Sequence, residues 1–202
     1  IVSDMNQPLG CAVGNALEVR EALETLQGRG PEDFVALVRP VSGWMLFLSG
    51  RASSPEEGQA LADAALASGQ ALAKFRAFVE AQGGDPRYVD NPDLLPKARF
   101  VRTALAPRSG YIAALTAEEV GMAAVLLGAG RNKKGDPIDH AVGIVLKAKV
   151  GARVEDGDPL FTIHANDVQA LEEATQRVLE AYAWSDEPVQ PPPLIKQVVS
   201  TG

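Results

Sequence analysis

Two histidines, His140 and His164, a single cysteine, Cys11, and the run Gly128-Ala129-Gly130-Arg131-Asn132-Lys133-Lys134-Gly135 are where a reactive site would first be sought. Neither histidine sits in a serine or cysteine context that would activate a nucleophile. His164, in Thr162-Ile163-His164-Ala165, reads as a strand-end residue bonded to backbone. One cysteine and two scattered histidines give no zinc-ligand spacing. Cys11 reads as a small, partly buried side chain with no assigned reactivity. The glycine-rich run fails both common phosphate-loop patterns. No Ser or Thr follows its lysines, no third glycine falls where a dinucleotide fingerprint needs it, and it follows a helix rather than a strand. It reads as a helix stop and surface turn. The segment from Lys149 to Ile163 has the glycine turns and short β segments of biotinyl or lipoyl carriers. The next residues, His164-Ala165-Asn166-Asp167, lack the lysine that such carriers modify, so carrier chemistry is absent.

The bulk properties exclude other classes. Hydrophobic residues make up 46% and charged residues 22% of the 202, a balance suited to a soluble globular protein with one large or two small cores. Asp and Glu outnumber Lys and Arg by 26 to 19, for a net charge of −7. Nucleic-acid binding needs clustered Lys and Arg, and only Arg131 to Lys134 forms a short basic cluster, so no nucleic-acid partner is expected. No apolar run approaches the roughly 20 residues of a membrane span. The lone cysteine excludes an internal disulfide and suits a reducing compartment. The start Ile1-Val2-Ser3-Asp4 lacks the basic region of a signal peptide and suggests a piece of a longer chain.

The elements that must position any site divide the chain by texture. Apolar Ala16, Leu17, Val19, Leu23 and Leu26 predict a helix from about Gly14 to Leu26, stopped by Gly28 and Gly30. Pro31 with Glu32 and Asp33 starts a second helix, which Pro40 is expected to kink or split near Arg39. Ser54-Pro55-Glu56-Glu57 starts helical structure that reaches Gly83-Gly84, with a break near Gly69. Turn residues from Asp85 to Pro96 place a boundary there. Beyond it, extended segments are predicted at 99–104, 110–115, 142–147 and 159–163, with a last strand at 194–199. Two helices interrupt them. One opens with a capping box from Thr116 to Glu119, and the other runs from about Asn166-Asp167 to Tyr182. The fold class is mixed α and β, with a mostly helical part at 1–96 and an α+β part at 97–202.

The run from Asp4 through Met5-Asn6-Gln7-Pro8-Leu9-Gly10-Cys11-Ala12-Val13-Gly14-Asn15-Ala16-Leu17-Glu18-Val19 to Ala22 resembles the signature of the thymidine and pyrimidine-nucleoside phosphorylase family. Gln82-Gly83-Gly84-Asp85, Gly128 to Arg131, Ile138-Asp139, Val142-Gly143 and Ile163-His164-Ala165 support the likeness, which spans essentially the whole chain. The form Gln7-Pro8-Leu9-Gly10 looks more like the enzymes that accept both uridine and thymidine. The resemblance implies that residues 1–96 are the helix-rich end of an α/β phosphate-binding domain. Residues 97–202 would then be a small C-terminal domain similar to a barrel-sandwich or hammerhead.

The resemblance further implies reversible phosphorolysis, in which phosphate attacks the anomeric carbon of a pyrimidine nucleoside to give free base and pentose 1-phosphate. The family's phosphate loop and base-contacting residues correspond to nothing here, so no catalytic or substrate-binding residue is carried over. One role does transfer. Leu9, Ala12 and Glu21 match positions that hold a monovalent cation, usually potassium, beside the phosphate loop. From the residues alone, these are an ordinary loop and a solvated helix glutamate. The resemblance makes them two backbone oxygens and a carboxylate around a hard cation. It also implies a cytoplasmic homodimer as the complete enzyme. A non-catalytic scaffold, or a relative acting on another nucleoside or nucleotide, stays open as an alternative.

Overall fold

A computed structural model of the chain describes residues 1–131 and 133–200. Asn132, within the glycine-rich run, lies outside the described residues. Contacts divide the chain into two compact units. Unit 1 holds Ile1–Ser3, Arg20–Leu95 and Leu194–Gly202, and unit 2 holds Asp4–Val19 and Pro96–Pro193.

Unit 1 is mainly helical. Helix α1 covers Asn15–Leu26, and its second half, with the fully buried Leu23, belongs here. Helices α2 (Glu32–Leu48) and α3 (Pro55–Ala67) pack against each other, and α4 (Gln70–Ala81) follows after Gly69, whose φ of 75° breaks the helical run as the sequence predicts. Ser54 caps α3 by accepting a hydrogen bond from the Glu57 amide at 3.2 Å, while the Glu57 carboxylate reaches back to the Ser53 amide at 2.7 Å. Pro40 does not split α2, which runs unbroken from Glu32 to Leu48. Proline in a helix interior forfeits one backbone bond and costs about 3 kcal/mol. Close packing along α3, aided by a bond of 2.7 Å from Arg39 Nε to Asp63, outweighs that loss. A short helix α5 (Arg87–Asp90) and a 3-10 turn at Pro92–Leu94 follow. The terminal strands β1 (Val2–Ser3) and β9 (Ile195–Gln197) pair antiparallel.

Unit 2 carries two antiparallel sheets. The first has the order β2 (Ala12–Val13), β5 (Gly143–Leu146), β7 (Pro159–Ala165), β3 (Phe100–Leu105). The second has β4 (Gly110–Leu115) between β6 (Arg153–Val154) and β8 (Tyr182–Ser185). Neither sheet closes into a barrel among the described residues. Helices α6 (Ala117–Leu127) and α7 (Val168–Glu180) pack on each other and complete the core.

That core includes Phe161, Leu160, Ile163, Ile112, Ile144, Leu146, Val120, Val142 and Val178, all with 2% exposure or less. Each such side chain contributes roughly 1.5–3 kcal/mol on burial. β7 lies between β5 and β3 and is buried on nearly every residue, so both of its faces are covered, which suits its mostly apolar composition. The expected capping box at α6 does not form. Thr116 makes no side-chain cap bond, and the Glu119 carboxylate instead takes Arg177 of α7 at 2.7 Å. An ion-paired bond between helices takes the place of the bond to backbone within the turn.

Candidate functional site

The segment with the signature residues enters unit 2 as an irregular strand. Asp4, nearly buried, accepts from Asn6 Nδ2 at 2.8 Å, which makes the first bend. The Ala117 amide then donates to the Asn6 carbonyl at 2.9 Å, and the Val150 amide donates to Gln7 Oε1 at 3.0 Å. Gly10 turns the chain with φ 69°, a conformation that costs glycine nothing. Its carbonyl accepts from Lys149 Nζ at 2.9 Å, and the Cys11 carbonyl accepts from the Leu146 amide at 2.8 Å. β2 then pairs with β5, Ala12 opposite Val145 and Val13 opposite Ile144.

α1 starts immediately after. The Glu18 carboxylate reaches back to the Gly14 amide at 2.9 Å, satisfying a donor that the helix start leaves free. The Ala16 amide donates to the His140 carbonyl at 3.1 Å, and Asn15 Nδ2 donates to the Ala129 carbonyl at 2.8 Å. Asp139 organises the loop that receives this helix. It accepts from the Ala141 amide at 3.0 Å and from Asn166 Nδ2 at 2.6 Å, and its own amide donates to the Gly128 carbonyl. Scattered pieces of the signature, Gly128, Ile138-Asp139 and Val142-Gly143, are therefore one structural cluster around the start of α1. A shallow recess of about 190 Å³ lies there, lined by Val13, Gly14, Asn15, Glu18, Ala129 and Gly130 among others.

Leu9 and Ala12, two of the three residues expected to hold a cation, both belong to this segment of unit 2, Leu9 exposed and Ala12 buried. Glu21 lies on the part of α1 assigned to unit 1, where its carbonyl accepts from Thr25 Oγ1 at 2.8 Å. Among the described residues no group of three or more His, Cys, Asp or Glu could hold a metal ion. Backbone oxygens with one carboxylate form a donor set for a hard cation, not for zinc or copper.

The other candidate residues take structural places. His164 sits in β7 opposite Val101 and Gly143, and burial, followed by the charge of Lys147, lowers its pKa from the ordinary histidine value. His140 contributes its backbone carbonyl. Gly128 ends α6 in a left-handed turn, as the sequence predicts, and Lys133 donates its amide to Asp136 at 2.8 Å. Tyr182, not anticipated from the sequence, stacks on Phe161 with ring centroids 6.1 Å apart and donates its hydroxyl to the Ala148 carbonyl at 3.0 Å. Burial and, secondarily, Cys11 push its phenol pKa up. Lys149 and Gln7 also escaped the sequence reading. Their partners are 139 and 143 residues away, and no local pattern encodes such contacts.

A second, apolar recess of about 610 Å³ lies in unit 1, lined by Ile1, Trp44, Phe47, Leu48, Pro55 and Val198 with neighbours. No helix among the described residues is long and apolar enough to cross a membrane.

Comparison with known proteins places this arrangement. Residues 111–185 match the family described as pyrimidine nucleoside phosphorylase C-terminal domain. The chain is 44% identical over 200 residues to a pyrimidine-nucleoside phosphorylase of Staphylococcus aureus strain USA300, covering 99% of this chain and 46% of that protein. The enzyme of the same name from strain MSSA476 is 43% identical over 199 residues, covering 98% of this chain and 46% of its own length. The chain thus spans about half the length of these curated relatives. Over nearly all of its residues the chain is similar to pyrimidine-nucleoside phosphorylases, and its residues 111–185 match the C-terminal domain of that family.

Proposed function

We propose that this chain is the C-terminal portion of a pyrimidine-nucleoside phosphorylase, which reversibly converts uridine, thymidine or deoxyuridine and phosphate into free base and (deoxy)ribose 1-phosphate. The observation that carries the reading is 44% identity sustained over 200 residues to a protein of that name. The complete protein is proposed to be a cytoplasmic homodimer whose phosphate and nucleoside are gripped by polypeptide beyond these residues. That the chain spans 46% of the length of a relative of that name agrees with this division. So does α2, where Met45 and Leu48 are 66% and 76% exposed. An apolar helix left open on this scale suits a surface that further polypeptide covers.

Phosphorolysis requires phosphate and sugar to be held in line, with charge stabilised on the departing base. Under this proposal the present residues do the positioning. Unit 2 holds the 4–12 segment and the start of α1 rigidly, and Leu9 and Ala12 (through backbone oxygen) and Glu21 (through its carboxylate) hold a monovalent cation, potassium. A bound cation would supply fixed positive charge near the phosphate. The donor chemistry supports the assignment.

The activity is tested by incubating the full-length protein with uridine, thymidine and phosphate and following release of base. Failure to release uracil or thymine would leave a non-catalytic scaffold as the better reading, and release from another nucleoside would redirect the substrate assignment. The cation is tested separately with Glu21→Ala, which should reduce the rise in melting temperature that potassium gives, because a ligand bound only by the folded state stabilises it by mass action. Equal potassium shifts in variant and parent would remove Glu21 from the site.

A further inference from the structure

Hydrogen bonds tie residues 6–11 to the rest of unit 2, and two of them come from consecutive residues in the turn after β5. Lys149 Nζ donates to the Gly10 carbonyl at 2.9 Å, and the Val150 amide donates to Gln7 Oε1 at 3.0 Å. The Lys149 bond is charge-assisted, and its acceptor is the carbonyl of Gly10, between Leu9 and Ala12 in sequence. Gly10 is buried and in the left-handed conformation, so the chain reverses there with few alternatives. Locking its carbonyl fixes one peptide plane. The bond of 2.8 Å from the Leu146 amide to the Cys11 carbonyl fixes the next. With both planes set, the direction of the Ala12 carbonyl follows from β2, and that of Leu9 from the turn at Gly10.

We propose that Lys149 is a positioning residue for the cation site: its ammonium pins the Gly10 carbonyl and thereby orients the backbone oxygens of Leu9 and Ala12 on either side. The inference rests on the cation assignment for its purpose, although the clamp itself stands on geometry. A lysine in this place has two opposed effects. It holds the loop in a ligand-ready shape, and it brings a positive charge toward a bound cation. The part-buried ammonium donates to the loop carbonyl at 2.9 Å, and under this proposal that positioning outweighs the repulsion. Removal of the ammonium therefore weakens potassium binding.

Lys149→Met and Lys149→Arg in the full-length protein separate these effects. Two readouts are taken: hydrogen exchange of the amides of residues 9–12, and the melting-temperature rise with potassium chloride against choline chloride at equal ionic strength. Lys149→Met should speed exchange in this segment and raise the potassium concentration for half-maximal stabilisation by about tenfold, the scale of one charge-assisted bond. Lys149→Arg, which can still donate to the carbonyl, should recover most of both. A potassium response in Lys149→Met that equals or exceeds the parent's overturns the inference and leaves the cation site standing. A parent protein with no potassium-specific response overturns both together.

Discussion

Gly14 and Gly143 meet backbone to backbone: a Cβ on Gly14 would lie 2.6 Å from the Val142 carbonyl oxygen, and one on Gly143 would lie 2.4 Å from that of Val13. Both residues also have φ values, 142° and 153°, that side-chain-bearing residues rarely adopt. This is where β2 hands over to α1, so the contact sets the angle at which the signature segment leaves the sheet. Gly14→Ala and Gly143→Ala should each destabilise the fold by about 2–4 kcal/mol, because neither backbone oxygen can retreat without breaking the β2–β5 pair. Urea unfolding of the two variants measures this. A cost under about 0.5 kcal/mol for either would show that the two strands separate freely.

In unit 1 a second glycine pair sets a helix crossing. A Cβ on Gly43 of α2 would lie 2.4 Å from the Pro55 carbonyl, and one on Gly58 of α3 would lie 2.4 Å from the Gly43 carbonyl. Gly43→Ala and Gly58→Ala should each cost about 1–3 kcal/mol through overpacking. Because both push apart one crossing, the double variant should cost clearly less than the sum, with a coupling of roughly 0.5–3 kcal/mol. Strict additivity in a double-mutant cycle would mean that the helices do not share this contact.

The Tyr182 hydroxyl gives a third test. It bonds the Ala148 carbonyl at 3.0 Å and approaches that of Leu160 at 3.4 Å, inside the core. Tyr182→Phe keeps the stacking on Phe161 but leaves a buried carbonyl short of a donor, at a cost of about 1–3 kcal/mol. Burial raises the phenol's pKa above the ordinary value of 10.0, so its contribution is complete below that value and is lost as pH rises past it. Absorbance titration should show one tyrosine resisting ionisation until the protein unfolds, and the resistant signal should vanish in Tyr182→Phe. Three tyrosines that titrate together near the usual value would contradict the burial.

Much of this fold is legible from local chemistry. Ser54 with Pro55 and Glu57 fixes the start of α3, Gly69 separates α3 from α4, and Gly128 ends α6, because caps and left-handed turns act within a few residues. The strands β3, β4, β5, β7 and β9 fall where turn residues bound apolar runs. What depends on distant partners is not legible. β2 is two residues long and exists by pairing with β5, some 130 residues away. The sequence carries α7 to about Tyr182 and marks no strand after it, and only pairing with β4 makes Tyr182–Ser185 a strand. Glu119 looks like half of a capping box until Arg177 claims it. At the candidate site, Leu9 and Ala12 have apolar side chains that advertise no ligand. Their assignment comes from family resemblance alone, while Lys149 and Gln7 become visible only in the folded chain.

His164 makes the pH dependence of unit 2 testable. It lies in β7 between Val101 of β3 and Gly143 of β5, and both burial and the charge of Lys147 oppose its protonation. Its folded-state pKa is therefore below the 6.5 of the unfolded chain. Between those two values the unfolded state binds the proton and the folded state does not. The stabilising contribution is present above pH 6.5 and is lost as pH falls below it and through the folded value. His164→Gln removes the titrating group while keeping a polar side chain at the strand end. Between pH 7 and pH 5 the parent's melting temperature should fall further than the variant's. Lys147→Met should weaken the same acid loss, since it removes the repelling charge and leaves the burial. Parallel curves for parent and His164→Gln over this range would place the histidine in water rather than in the sheet.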